Sequence, residues 1–303
     1  MSIPLERLQA ELGGVVIGAD TPSPLSNIDG LGLGNLRTRT VDIPGEDGEW
    51  FGREYRQAPV LTFEGQVVKA GDEAGAWDLS DVLEDAFDMP ELRKTARAVT
   101  PLRLRRPGSD ARILYGRPDR YDPAHRMAVV GLVPFMATFR GSDPRWFSDA
   151  EESVTLSMSA VSAGGLITTV DGSIPSPITT VAGERRSSII TNDGNRETPA
   201  IITFRGPLSG GKVSLLDSEG GVLWEVGLTK PIAYDRIATV DTRPWKREVR
   251  LGDGSALGSS LTPQSVLSRC TIPPGQSEIL IEGVDLTGTA RFEIRWRHAY
   301  RRP

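Results

Sequence analysis

Strict alternation of apolar and polar residues marks the C-terminal end of the sequence. Successive side chains of an extended strand point to opposite faces, so alternate positions share one environment. One face is predominantly apolar and consists of Ala290, Phe292, Ile294, Trp296 and His298. The opposite face is charged and consists of Arg291, Glu293, Arg295 and Arg297. We therefore predict a strand with one buried and one solvated face, with Trp296 in a core.

The same alternation recurs upstream, between regularly spaced turn signals. The residues that it predicts to point inward are Val222, Trp224, Val226, Val249 and Leu251. After Ser148, turn signals recur every ~8 to 12 residues, the rhythm of a β-sandwich. Segments rich in Asn, Asp and Gly, which favour tight turns, lie at 192–195, 218–221 and 252–254. We assign residues 149–303 to a second domain and leave its start open within 149–190.

One segment of the first half has helical spacing instead. Its apolar residues recur about three or four positions apart. They are Leu79, Val82, Leu83, Ala86, Phe87, Leu92 and Ala96. Because proline lacks an amide hydrogen and clashes with the preceding turn, Pro90 must interrupt this helix. We predict a helix over Ser80–Phe87, with Asp78 or Ser80 as the N-cap, and a second short helix beginning near Pro90.

Short apolar runs separated by glycine or proline surround the helical segment. We predict strands at 59–68, 102–106, 111–115 and 127–139. Strands that frame a helix make residues 1–148 an α+β domain, sandwich-like or barrel-like with one helix. The predicted fold is therefore mainly β. Two domains also agree with ~100 to 200 residues per domain in a chain of 303 residues.

Composition argues against several functional classes. The net charge of -5 does not attract DNA phosphates or an anionic membrane surface. The single Cys270 cannot form an intramolecular disulfide, and with only His125 and His298 there is no Cys/His cluster for zinc. The charged N-terminal residues do not predict a secretion signal. The longest apolar stretch, 127–139, is shorter than the ~18 to 20 residues of a membrane-spanning helix. We expect no metal, cofactor or membrane.

No catalytic constellation stands out. The run Gly30–Gly34 lacks the third glycine of a dinucleotide-binding turn, because that position is Asn35, and we predict a loop. The acidic segment Asp42–Glu49 lacks the calcium-binding spacing of an EF-hand and is predicted to be a solvated hairpin tip. No Gly-x-Ser-x-Gly turn presents a nucleophilic serine. Cys270 is predicted to be a small buried side chain. We therefore predict a protein that is not an enzyme.

Arginine and tryptophan provide the remaining candidate surfaces. The arginines of two strand-rich regions are Arg103, Arg105, Arg106, Arg112, Arg117 and Arg120, then Arg291, Arg295, Arg297, Arg301 and Arg302. We predict that they lie on wet strand faces and serve a protein interface, where arginine is enriched. Trp224 and Trp296 alternate in phase with aliphatic residues and are assigned to the core. Trp50 and Trp245, flanked by charge and proline, are predicted to be exposed.

The order of motifs along the chain resembles that of the distal tail proteins of long-tailed bacteriophages, the siphoviruses. In the first domain the motifs are Pro44–Gly48, Gly52-Arg53, a strand ending at Gly65, one helix, Gly116–Pro118 and Asp143–Ser148. In the second they are Asn192–Asn195, Thr198-Pro199, a strand closing at Gly206-Pro207, Asp241-Thr242, Pro273–Gly275 and Phe292–Arg297. Each motif occurs in many β proteins. Their joint order over nearly the whole chain carries the resemblance.

The resemblance implies a structural protein of the virion, a minor tail protein of the tail tip or baseplate. In that family an N-terminal domain forms a ring, usually hexameric, and a C-terminal galectin-like or jelly-roll sandwich projects outward. The ring joins the tail tube to the tail-tip hub and tape-measure proteins and lets DNA pass without specific binding. Assembly in the bacterial host cytoplasm follows. We expect residues 42–53 to contact a ring neighbour. The candidate interface residues are Glu46, Asp47, Trp50 and Arg53.

Two other functions remain open at this point. The second domain could be a glycan-binding module for adsorption to the host, with Trp245 as the candidate contact, because exposed aromatic rings stack on sugars. A tail-associated hydrolase would need catalytic residues that the motifs do not supply. Binding of cell-wall polysaccharide and turnover of a cell-wall substrate separate these two functions from a structural role.

Overall fold

The computed structural model describes residues 3–32, 34–158 and 184–303. The fold is mainly β, as predicted. The strands are β1 (Gln9–Leu12), β2 (Val15–Gly18), β3 (Leu25–Asp29), β4 (Leu36–Arg37), β5 (Thr40–Asp42), β6 (Glu49–Phe51), β7 (Tyr55–Arg56), β8 (Val60–Val68), β9 (Thr100–Arg105), β10 (Arg112–Pro123), β11 (Leu132–Gly141), β12 (Trp146–Ser148), β13 (Glu152–Ser157), β14 (Glu184–Asn192), β15 (Thr198–Arg205), β16 (Ser209–Leu216), β17 (Val222–Gly227), β18 (Ile237–Asp241), β19 (Glu248–Leu251), β20 (Thr271–Ile272), β21 (Gly275–Val284), β22 (Arg291–Trp296) and β23 (Ala299–Tyr300). The α-helices are α1 (Glu73–Phe87) and α2 (Pro90–Lys94), and the 3₁₀ helices are η1 (His125–Val130), η2 (Gly258–Ser260) and η3 (Leu267–Arg269).

The chain divides into two compact units. Unit 1 comprises Met1–Asp149 and Ala299–Pro303, and unit 2 comprises Ala150–His298. The sequence had placed residues 299–303 with the second domain, but β23 pairs with β12 of unit 1. The alternation along β22 does not predict that the chain returns to unit 1 at residue 299, because the partner of β23 is far away in the sequence. Part of the predicted start of the second domain, residues 159–183, lies outside the described residues.

Unit 1 is built on one antiparallel sheet with α1 packed on it. The strand order is β2-β1-β9-β10-β11-β8-β3, and β12 adds to β10 and pairs with β23. Leu83 and Phe87 of α1 enter the same core as Phe63 of β8. The rings of Phe63 and Phe87 meet edge to face, with centroids 6.4 Å apart. This packing fixes the helix on the sheet.

Helix α1 begins earlier than predicted. Asp72 is its N-cap, and its Oδ1 accepts a hydrogen bond from the Gly75 amide at 2.9 Å. The predicted caps, Asp78 and Ser80, both lie within the helix. Periodicity missed the first turn because its only apolar residues are two alanines beside a glycine. The second helix does begin at Pro90, as predicted. Within the described ranges, neither helix has the length and apolar character that crossing a membrane requires.

The apolar segment 127–139, predicted as one strand, is divided between two elements. Its beginning belongs to η1 and its remainder to β11, and Gly131 joins them with a φ of 77°. A Cβ at this position would also clash with the carbonyl oxygen of Lys69. The prediction of a continuous buried strand is therefore wrong. As a result, Met127, Val129 and Val130 are exposed.

Unit 2 is a β-sandwich. One sheet has the order β13-β22-β15-β18-β19 with β20 added to β15, and the other has the order β14-β21-β16-β17. Inward side chains from both sheets form one core, in which Phe204 and Phe292 meet edge to face at 5.2 Å. The predicted alternation of β22 is confirmed, because Phe292, Ile294 and Trp296 are buried. Trp224 is buried in the same core, also as predicted.

Two strand residues, Val222 and Arg103, do not have the exposure predicted for them. Val222 is exposed because the register of β17 against β16 shifts between Leu215 and Leu216, and such a bulge reverses the phase of the alternation. Arg103, expected on a wet strand face, is buried. Its guanidinium forms ion pairs with Glu11 and Asp149, which make that burial possible.

Candidate assembly surface

Residues 34–57 form a two-stranded arm in the chain segment that connects β3 to β8. Strands β3 and β8 are themselves neighbours in the sheet. At the base of the arm β4 pairs with β7, and toward its tip β5 pairs with β6 with Val41 opposite Trp50. Gly52 lies between the two ladders, and its amide donates to the carbonyl oxygen of Arg39 at 2.7 Å. A Cβ on Gly52 would clash with that oxygen. The predicted acidic hairpin tip is confirmed at residues 42–49.

The arm carries large apolar side chains outside both hydrophobic cores. Phe51 is 80% exposed and Trp50 is 58% exposed. Val41 and Tyr55 are also exposed. Contiguous exposed apolar groups bordered by polar residues mark interaction sites, and Trp, Tyr and Phe are enriched in protein interfaces. The arm therefore has the composition of a protein-binding element.

Arginines accompany these aromatic side chains. The guanidinium carbons of Arg37 and Arg53 lie 5.5 Å and 5.8 Å from the centroid of the Tyr55 ring. Both distances lie within the range of a cation–π interaction. Arg56 closes the base of the arm by donating to the Gly34 carbonyl oxygen at 2.8 Å. In the described part of the chain, no carboxylate lies within 4.0 Å of the charged nitrogens of the arm's arginines, which are Arg37, Arg39, Arg53 and Arg56.

The four residues predicted for a ring interface all lie on this arm. Glu46 and Asp47 occupy the turn at its tip, Trp50 lies on β6, and Arg53 lies beside Tyr55. All four are exposed. The structure thus places them on one accessible element rather than scattering them over the unit.

A second exposed apolar surface lies where α1 meets η1. Trp77 of α1 stacks on His125, with ring centroids 3.9 Å apart and an interplanar angle of 10°. Trp77 and three side chains of η1 are exposed, and we call them together the helix face: Trp77, Met127, Val129 and Val130. The sequence did not predict this surface, because it assigned the η1 residues to a buried strand. The presence of a tryptophan among the acidic residues of α1 was the available signal.

Carboxylates border the helix face. Those of α1 are Glu73, Asp78, Asp81, Glu84 and Asp85, and all five residues are exposed. The segment Glu73–Phe87 contains no lysine or arginine. Among the described residues, none of these carboxylates has a cationic partner within 4.0 Å. The helix therefore presents a negative surface beside an apolar one.

Residues that could have carried chemistry are dispersed. Cys270 is buried, as predicted, and burial raises its pKa to about 12, which disfavours the reactive thiolate. The Nδ1 of His298 accepts a hydrogen bond from the Asp193 amide at 3.1 Å, and His125 is occupied by its stack on Trp77. Residues 3–32, 34–158 and 184–303 contain no group of three or more His, Cys, Asp or Glu side chains suited to hold a metal ion.

The predicted exposure of Trp245 is wrong, because this residue is only 9% exposed. It follows a tight turn in which Asp241 Oδ1 accepts hydrogen bonds from the backbone amide and Nε of Arg243, at 3.1 Å and 2.9 Å. The Arg243 guanidinium carbon lies 5.9 Å from the Trp245 ring centroid. Flanking charge and proline gave a misleading signal, since the turn folds the ring inward. A ring this buried does not offer a face for stacking on a sugar.

No protein-family model and no curated protein matches this sequence. Solved structures do match. The SPP1 Dit (gp 19.1) protein, described as a paradigm of the hub adsorption apparatus in phages that infect Gram-positive bacteria, is 14% identical, with a TM-score of 0.63 over 97% of this chain and 99% of that chain. A chain of the phage P2 baseplate in its activated conformation with Ca is 14% identical, with a TM-score of 0.54 over 96% of this chain and 98% of that chain. The corresponding baseplate with Sr gives 15% identity and a TM-score of 0.53 over 95% of this chain and 97% of that chain. At the level of the fold, the resemblance to distal tail proteins is confirmed.

Proposed function

We propose that this protein is a structural component of a bacteriophage tail tip, where it forms an oligomeric ring, a hexamer, that joins the tail tube to the distal baseplate hub. The observation that carries the proposal is the fold, shared over nearly the full length of a phage hub protein. A single β-sandwich would be weak support, since common folds host many functions. Two different units in the same order along one chain are a far more restrictive match.

The arm supplies what ring formation requires. A closed ring needs two different surfaces on each subunit that fit each other head to tail. The arm is an exposed element with unburied aromatic side chains, and we assign it to the contact with the next subunit. In this assignment Glu46, Asp47, Trp50 and Arg53 are the interface residues. Their exposure in the isolated chain supports the assignment.

The remaining parts of the proposal concern partners. The ring stacks between the tail tube protein on one side and the tail-tip hub and tape-measure proteins on the other, within the virion. DNA passes through the ring, and a net charge of -5 favours passage without binding because few phosphates are neutralised. Assembly takes place in the host cytoplasm. The role requires no catalytic residue and no cofactor.

Imaging of virions tests the proposal. The arm variant carries alanine at four positions, namely Glu46, Asp47, Trp50 and Arg53. A matched control replaces two acids, one aromatic residue and one arginine on exposed loops of unit 2, namely Glu219, Asp253, Tyr234 and Arg236. We expect tails of the parent and the control to end in a ring of six subunits, and tails of the arm variant to lack it. If a label attached to this chain is found elsewhere than at the distal end of the tail, the tail-tip role is refuted. A normal ring in the arm variant would refute only the interface.

A further inference from the structure

The arm and the helix face lie at opposite ends of one strand. The arm joins β8 at Val60, whereas α1 follows Val68, and η1 reaches the same end because Leu132 pairs with Val68. Strand β8 runs from Val60 to Val68, and eight steps of ~3.3 Å separate its ends by about 26 Å. One molecule therefore presents two different exposed apolar surfaces that are well separated. This is the arrangement that a head-to-tail contact between identical subunits requires.

The two surfaces are complementary in charge. The base half of the arm, residues 34–39 and 52–57, contains four arginines and one carboxylate, that of Glu54. Helix α1 contains five carboxylates and no basic residue, and the adjoining η1 adds one exposed arginine, Arg126, beside the helix face. The charges on both surfaces lack ion-pair partners among the described residues. Opposite potentials on facing patches steer two molecules together and fix their register.

The apolar parts of the two surfaces match as well. The arm offers Trp50, Phe51 and Tyr55, and the helix face offers Trp77 with Met127 and two valines. Aromatic and methionine side chains at the centre of an interface, with charged groups at its rim, are the usual anatomy of a specific contact. Neither patch can cover the other within one molecule, since β8 lies between them.

We infer that the arm of one molecule docks on the helix face of a second copy of this chain, with Tyr55 near Trp77 and with Arg37 and Arg53 facing Asp78 and Asp81. This inference rests on the proposed ring and names the surface that receives the arm. The acidic tip, residues 42–49, then extends beyond α1 of the neighbour. Every subunit uses its arm once and its helix face once, so the contact closes into a ring without a free surface of either kind.

Cross-linking in assembled tails tests the contact. The full chain carries Glu54→Cys on the arm and Asp78→Cys on α1, and a short bifunctional maleimide is added to purified tails. The native Cys270 is buried and stays unreacted. We expect a ladder of covalent oligomers that ends at the number of subunits in the ring. Each single-cysteine variant should stop at the monomer. As a position control, Glu54→Cys combined with Asp253→Cys on unit 2 should give no ladder.

Exchange of charges provides a second, independent test of the contact. In the double-cysteine chain, Arg37→Glu with Arg53→Glu should lower the cross-linked fraction by about tenfold, because attraction becomes repulsion. Adding Asp81→Arg should recover much of that loss. The control, Arg205→Glu with Arg236→Glu on exposed sites of unit 2, should leave the fraction unchanged.

The outcomes separate this inference from the proposed function. If tails contain a ring of this chain but the Glu54–Asp78 pair gives no ladder, the arm binds elsewhere and the inference is wrong. A dimer formed by Glu54→Cys alone would show a symmetric arm-to-arm contact and would also refute it. If the chain forms no ring in tails, the proposed function itself fails.

Discussion

Arg103 and Asp149 form a bidentate ion pair, with Nε 2.8 Å from Oδ1 and Nη2 2.5 Å from Oδ2. Asp149 is the last residue of the N-terminal segment of unit 1. The Nη1 of the same guanidinium donates to the carbonyl oxygen of Ile3 at 2.7 Å and to Glu11 Oε2 at 3.1 Å. Arg103 is 6% exposed. Its hydrogen bond to Asp149 raises its pKa further, against the opposing effect of burial. One side chain thus ties the N-terminal segment, β1 and the exit from unit 1 together.

The first prediction concerns this guanidinium. Arg103→Met leaves two partly buried carboxylates without their cation, so we expect unfolding free energy to fall by about 3 kcal/mol. The matched control is Arg120→Met, whose ion pair with Asp122 is exposed and should contribute less than about 1 kcal/mol. Urea denaturation of both variants measures the difference. Equal losses would contradict the structural role of Arg103.

The second prediction concerns Trp296. Its ring lies in the core of unit 2, and its Nε1 donates to the Thr191 carbonyl oxygen at 2.9 Å. Trp296→Asp removes a large apolar side chain and buries a charge, so we expect a loss of about 4 kcal/mol or more. Arg295→Ala on the opposite face should change stability by less than about 1 kcal/mol. A parent-like melting temperature for Trp296→Asp would overturn the assignment of the buried face.

The sequence predicted those features that depend on near neighbours in the chain. The buried face of β22 follows from its alternation, and the start of α2 follows from Pro90 alone. The acidic hairpin tip was also predictable, because Pro, Gly and Asp specify a tight turn locally. The base of the arm, where Leu36 and Arg37 pair with Arg56 and Tyr55, was not predicted, because these pairs join residues about 20 positions apart.

The predictions that failed depend on distant partners. Burial of Arg103 requires Glu11 and Asp149, which lie 92 and 46 positions away. The exposure of Val222 follows from a bulge that its own segment does not reveal. The helix face exists only because folding brings Trp77 against His125. Periodicity describes one element at a time and carries no information on such pairings.

The third prediction concerns a pH dependence at Asp285. Burial opposes ionisation of this carboxylate, but hydrogen bonds from the Ala290 and Thr287 amides, at 2.7 Å and 2.8 Å, and from the Thr287 hydroxyl outweigh it and lower its pKa. A lowered pKa in the folded state means that the stabilisation is present above the unfolded pKa of about 4 and is lost as pH falls through the folded value. We expect Asp285→Ala to cost about 2 kcal/mol at neutral pH.

Denaturation at several pH values checks this sign. The difference in stability between the parent and Asp285→Ala should be constant from pH 7 down to about pH 5 and should shrink below about pH 4. A difference that stayed constant to the lowest pH at which the protein folds would show that lost packing, and not the ionised carboxylate, causes the effect.

The fourth prediction concerns Cys270. Because burial raises its pKa to about 12, the thiol should not react with a disulfide reagent at pH 8 in the folded protein, and one equivalent should react in denaturant. The pKa of an unfolded cysteine thiol is about 8.5, whereas the folded thiol stays protonated at that pH. The contribution of the protonated thiol to the unfolding free energy is therefore fully present below about pH 8.5 and is lost as pH rises toward 12. In Cys270→Ala this part of the decline should be absent. Rapid native labelling would contradict the burial.

The last prediction concerns the C-terminal residues that complete unit 1. Tyr300 of β23 pairs with Trp146 of β12, and the Arg112 guanidinium carbon lies 3.7 Å from the Tyr300 ring centroid. Arg112 also donates to the carbonyl oxygen of Arg302. Deleting residues 299–303 removes the cation–π contact and the buried Ala299, so unit 1 should lose about 2 kcal/mol. Tyr300→Phe keeps both the strand and the ring and serves as the control.

Hydrogen exchange locates the loss, because opening free energies differ between regions of one chain. Deletion of 299–303 should speed exchange in β12 and the adjoining part of β10, whereas β15 and β18 of unit 2 should exchange as in the parent. Uniform acceleration in both units would mean that the two unfold together, contrary to the prediction.

The same contact bears on fragments. We expect residues 1–148 to associate by themselves or with the tail tube, and residues 149–303 to remain monomeric. Because residues 1–148 alone lack β23, a fair test of their association must supply residues 299–303 to that fragment.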